Sequence, residues 1–210
     1  MDEIARDPEE TQRLLEAIRA GDRSAFDRLF ARHRLDLREL VELRLDPRLK
    51  PRLDPSDVVQ DAQMEAVRRI DKYLESPPMP FHLWLRQIAY DRLLMARRRH
   101  AEAGCRTVHR QLPLPDQSSM MLARQLVAAG STPSQQLTRR ELVHRVQEAL
   151  SRLGELDREI LLMRNFEGLS FGEIACLLEI ENTAARKRYG RALLRLRTLL
   201  FDLGLPEPPP

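Results

Sequence analysis

Cysteine is nearly missing from this 210-residue chain: Cys105 and Cys176 stand far apart, with no CxxC and no histidine at ligand spacing. That argues against a disulfide framework or a cysteine-based zinc site, and Cys176 reads as a small apolar core residue. Lysine is almost as scarce, only Lys50, Lys72 and Lys187, so basic surfaces must be built from arginine, which favours bidentate contacts with phosphates and base edges, although the base composition of a genome explains such a bias equally well. Aromatics are 5% of the chain and alternating β-branched runs are absent, which leaves little from which to build a sheet. Charge of one sign is missing too. Lys plus Arg number 35 against 32 Asp plus Glu, a formal net charge of +3, so a nucleic-acid surface can arise only from local sorting of charge. No stretch approaches the roughly 18 apolar residues of a membrane span. The start, MDEIARDPEE, is acidic where a signal peptide is basic and then apolar, so a cytoplasmic chain without membrane insertion is expected. The five histidines are scattered, and no nucleophile elbow, phosphate loop or metal-ligand spacing occurs. The chain is therefore expected to be no enzyme, with no catalytic residue, cofactor or metal.

What the chain does have is helical spacing almost throughout, which predicts an all-α fold. Leu14, Leu15 and Ile18, then Ala25, Phe26, Leu29 and Phe30, mark two amphipathic segments separated by Gly21-Asp22, with Asp22 or Ser24 available to cap the second. The pattern continues to Leu45, where the three prolines of DPRLKPRLDPS impose a connection. Ser56 to Leu74 reads as a helix with Val59, Ala62, Ala66, Ile70 and Tyr73 on its apolar face. PPMP ends that region, and FHLWLRQIAYDRLLMARRRH starts another helix that turns strongly basic, with Trp84, Ile88 and Met95 on one face. From Arg106 the pattern dissolves into LPLPDQSSM and GSTPSQ, the composition of a linker, although MMLARQLVAA within it has helical character. Helical spacing resumes over 142–153 and 157–166. The organisation expected is a helical domain over 1–105, a flexible linker over 106–134, a second helical domain over 135–203 and a Pro-rich tail over 204–210.

The second domain carries the sharpest local signal. In LSFGEIACLLEIEN, Ser170 followed by Glu173 forms a capping box, and Ile174, Ala175, Leu177 and Leu178 supply one short helix with an apolar stripe. EIEN interrupts it, and Asn182 or Thr183 can cap the next helix, giving a helix-turn-helix outline. On that next helix Ala185, Tyr189, Ala192 and Leu196 share a core face. Thr183, Arg186, Lys187, Gly190 and Arg191 lie roughly opposite, with Arg188 on a flank. Such a face offers guanidinium donors to phosphates and base edges, and Gly190 permits close approach of the backbone. The same arrangement is also that of a solvated arginine face on an ordinary bundle helix.

Taken with the preceding helices, ALSRLGELDREILLMRNFEGLSFGEIACLLEI and TAARKRYGRALLRLR resemble region four of the extracytoplasmic-function (ECF) group of bacterial sigma factors. That resemblance implies binding to the minus-thirty-five promoter element through Arg186, Lys187, Arg188 and Arg191, with Thr183 as a phosphate ligand. In the turn the chain has Glu179 where family members commonly carry glycine. DVVQDAQMEAVRRIDKYL resembles region two, which implies docking on the clamp helices of core RNA polymerase through Asp57, Gln60, Asp61 and Glu65. Read from the residues alone, these acids and amides suit a basic partner, or simply complement the helix dipole. The segment from Phe81 resembles the part of region two that melts and reads the minus-ten element, which implies backbone contacts from Arg86, Arg92, Arg97, Arg98 and Arg99. The resemblance spans about 14–99 and 135–200 in the family's order. It implies a sigma factor whose partners are core RNA polymerase, promoter DNA and an anti-sigma factor. The competing reading is a stand-alone helix-turn-helix regulator that is not part of the polymerase.

Overall fold

The computed structural model describes residues 8–45, 49, 52–102 and 139–204. Among these residues there are eight helices and no strand: α1 Pro8–Arg19, α2 Arg23–Arg44, α3 Pro55–Glu75, α4 Phe81–Glu102, α5 Arg139–Arg152, α6 Glu155–Asn165, α7 Phe171–Leu178 and α8 Asn182–Asp202. The chain divides into two compact units, residues 1–107 and 108–210. The expected linker, the helical stretch suggested within it and the tail beyond Gly204 lie outside the described residues.

In the N-terminal unit the helix boundaries follow local chemistry. The turn after α1 passes through Gly21, whose φ of 95° is a backbone conformation that a side chain resists. Asp22 then caps α2, its Oδ1 accepting from the Ser24 amide at 2.9 Å. The Ser24 hydroxyl bonds the same carboxylate and is the main reason that the Asp22 carboxyl is held below its usual range. Asp54 caps α3 in the same manner, with Pro55 in the first turn, where its missing amide hydrogen costs nothing. The helix thus starts one residue before the serine expected to open it.

Apolar faces of α2, α3 and α4 meet in one core that includes Leu29, Phe30, Val59, Ala66, Leu85 and Leu93. Fully burying a side chain such as Leu29 or Phe30 contributes about 1.5–3 kcal/mol. The first half of α4 is buried nearly all round, since Phe81, Leu83, Trp84, Leu85 and Arg86 are all covered. A helix covered on every side is a central element rather than a surface one. Trp84 packs on Tyr73 with ring centroids 4.6 Å apart and on Phe81 at 5.6 Å. Met95, expected on the same face as Trp84 and Ile88, is instead 45% exposed, because at this level of α4 Leu93 and Ala96 take the inward face. His33 is buried against Phe81, and its Nε2 meets no hydrogen-bond partner. Burial pushes its pKa down to about 4, with His82 and Arg32 adding to the effect.

The C-terminal unit packs α5, α6 and α7 against α8. Val146 and Leu150 of α5, Ile160 and Leu161 of α6, Ile174 of α7, and Ala185, Ala192 and Leu196 of α8 are buried. Asp157 near the start of α6 is buried and accepts a short hydrogen bond from Arg195, which fixes α8 against α6. Cys176 is half-buried rather than a full core residue, because only Ile174 and Ala175 of the short α7 face inward completely.

Candidate nucleic-acid interface

The helix-turn-helix is built from bonds that span only a few residues. Ser170 Oγ accepts from the Glu173 amide at 3.2 Å, while the Ser170 amide donates to Glu173 Oε2 at 2.7 Å, so both halves of the capping box are present. α7 is closed by Glu179 in left-handed backbone, φ 52° and ψ 43°, the one positive-φ residue other than glycine among the described residues. The Ile180 amide donates back to the Ala175 carbonyl at 3.0 Å and the Glu179 amide to that of Cys176 at 3.4 Å, which is a Schellman closure. Glycine adopts this backbone freely; a glutamate does so at a cost of about 1 kcal/mol. The residue opening α8 is Glu181, and no side chain caps it. Asn182, expected as an alternative cap to Thr183, lies one position inside the helix and accepts from Arg186 Nε at 3.1 Å instead.

On α8, Thr183, Arg186, Lys187 and Arg191 are exposed and Arg188 is half-buried, while Ala185, Ala192 and Leu196 hold the opposite face in the core. Tyr189 lies between the two and donates its hydroxyl to Asn165 Oδ1 at 3.0 Å. A Cβ built on Gly190 would meet nothing within 4 Å, so this position is open. Two features were missed by reasoning on spacing alone. Phe171, the first residue of α7, lies under two guanidiniums, Arg186 at 5.5 Å and Arg164 at 4.9 Å from the ring centroid, and holds the edge of Tyr189. Exposed Arg164, at the end of α6, donates to the Leu169 carbonyl at 2.9 Å. An aromatic residue directly after the capping serine is the signal that points to such a platform.

In the N-terminal unit, Asp57, Gln60 and Asp61 are exposed along α3. Glu65 is not: its side chain is 12% exposed and takes Arg69 at 2.6 Å, Arg68 at 3.4 Å and Arg92 at 3.5 Å. The Arg69 hydrogen bond, foremost among these contacts, draws the Glu65 carboxyl below its usual range. The arginines of α4 divide likewise. Arg98 and Arg99 are exposed, Arg92 and Arg97 are half-buried, and Arg99 pairs with Asp61 at 3.5 Å. Arg86 is buried, its guanidinium over the Tyr90 ring at 5.8 Å beside Arg44 at 5.7 Å. This corrects the expected backbone contact, because the central position of α4 turns Arg86 into the packing.

Residues 144–196 match the family described as Sigma-70, region 4. Over 194 residues the chain is 30% identical to the RNA polymerase sigma factor CnrH of Cupriavidus metallidurans, covering 92% of this chain and 96% of that one. It is also 30% identical to the ECF RNA polymerase sigma factor SigM of Mycobacterium tuberculosis, over 91% of this chain and 85% of that protein. The chain belongs to the ECF sigma factors. This sigma factor also resembles the solved structure of CnrH in complex with the cytosolic domain of CnrY, with a TM-score of 0.57 and 23% identity over 92% of the chain. That likeness is one of fold. Among the described residues of the sigma factor, no helix is long and apolar enough to cross a membrane.

Proposed function

We propose that this sigma factor binds core RNA polymerase in the cytoplasm and directs promoter recognition, local DNA opening and transcription initiation, without catalysing a reaction of its own. The helical domain over 1–105 docks on polymerase through Asp57, Gln60 and Asp61 of α3, and meets the minus-ten region through Arg92, Arg97, Arg98 and Arg99. The helix-turn-helix domain over 135–203 binds the minus-thirty-five element through Thr183, Arg186, Lys187, Arg188 and Arg191, and the segment over 106–134 links the two. Glu65 acts within this scheme as a clamp on Arg92 of α4 rather than as a docking group. An anti-sigma factor is a further partner; the complex of the relative CnrH with the cytosolic domain of CnrY supports a protein partner for this chain as well.

The observation that carries the reading is the basic face of α8. Four exposed or half-exposed cations and Thr183 stand on a helix whose other side is locked into the core, so the cations are presented without unfolding anything. Gel filtration of the full chain with bacterial core RNA polymerase tests it, and a stoichiometric complex is the expected result. Failure to bind at low salt, with the chain folded, would support a stand-alone regulator instead.

A further inference from the structure

The acidic face of α3 and the basic end of α4 are not independent surfaces. Asp57, Asp61 and Glu65 recur at four-residue spacing along α3, and Arg92 and Arg99 recur at seven-residue spacing along α4, so each set lies along one side of its helix. Two ion pairs join them: Glu65 with Arg92 and Asp61 with Arg99, each at 3.5 Å. The pairs differ in kind. Glu65 and Arg92 are 12% and 20% exposed, and the same carboxylate also takes Arg68 and Arg69, so this connection is the more sheltered of the two and the costlier to open. Asp61 and Arg99 are 49% and 65% exposed, a pair that water and salt weaken and that a better partner can replace.

We propose that Arg99 latches over Asp61 in the free protein and competes with polymerase for it, so that docking on polymerase hands the Arg99 guanidinium to promoter DNA. The proposal rests on the reading of α3 as the polymerase-docking face. A basic polymerase surface exchanges one cation for another at Asp61, which leaves the carboxylate paired throughout. The displaced Arg99, still fully charged, is then left without its carboxylate beside Arg98, where a phosphate offers it a charge-assisted hydrogen bond. Glu65 keeps Arg92 and the rest of α4 in place while the outer pair exchanges. The free chain thus holds down part of its DNA-directed charge until polymerase is present.

Two single variants and their double variant test this in the full-length chain, with circular dichroism melts checking the fold. Arg99→Gln removes the competitor, so affinity for core polymerase should rise about two- to five-fold, as expected of an exposed pair, while binding of labelled single-stranded DNA by the complex weakens. Asp61→Asn should weaken polymerase binding, yet raise the affinity of the free chain for that DNA by a similar factor at low salt. In the double variant both gains should vanish. Unchanged or weaker polymerase binding by Arg99→Gln overturns the latch; if Asp61→Asn still weakens polymerase binding, the docking role of α3 survives. Should Asp61→Asn leave polymerase affinity unchanged, the docking role and the latch fall together.

Discussion

Glu179 is a residue whose backbone and side chain disagree. Its left-handed conformation closes α7 and sets the angle at which α8 leaves the turn, and glycine adopts that conformation without a Cβ clash. Glu179→Gly is expected to stabilise the C-terminal unit by about 1 kcal/mol, seen as a higher midpoint in thermal unfolding. His33 makes the opposite kind of case, a polar ring kept neutral in a core. Its pKa falls from 6.5 in the unfolded chain to about 4 when folded, so the unfolded state binds the extra proton between these values. Stability is therefore full above pH 6.5 and declines as pH falls toward 4, by up to roughly 3 kcal/mol. Urea midpoints measured across that range should show the decline, and His33→Leu should flatten it.

Element by element, signals a few residues apart were legible in the sequence, and contacts across the bundle were not. The capping box needs only Ser170 and Glu173, and the amphipathic faces of α3 and α8 need only helical periodicity, so each stood in the sequence much as it stands in the fold. Arg86 was misplaced because its burial depends on where α2 and α3 cover α4, which no window of α4 records. Asn182 looked like a cap because its residue type suits one, yet the helix starts a residue earlier and the side chain serves Arg186. The same limit hid Phe171. Phe171→Leu should keep the packing but lose the cation platform, weakening binding to a minus-thirty-five duplex about two- to five-fold, read by fluorescence anisotropy. Arg188→Glu with Arg191→Glu should abolish that binding and leave the complex with polymerase intact; equal loss of both would show that α8 is not specialised for DNA.

At the scale of the whole molecule, a net charge of +3 coexists with a basic helix face because acids and arginines are sorted rather than removed. Promoter affinity should accordingly fall steeply with salt, and replacing Arg191 with glutamine should lower the slope of log affinity against log salt by about 0.9. Each unit buries apolar residues of its own, and only the N-terminal one contains the chain's single tryptophan. Trp84 lies among Tyr73 and Phe81 in the N-terminal unit, so the molecule carries a built-in optical label for that half. Its emission follows the melting of α3 against α4, whereas circular dichroism follows every helix. A gap between the two curves reports the C-terminal unit, without a dye, a tag or a truncated chain.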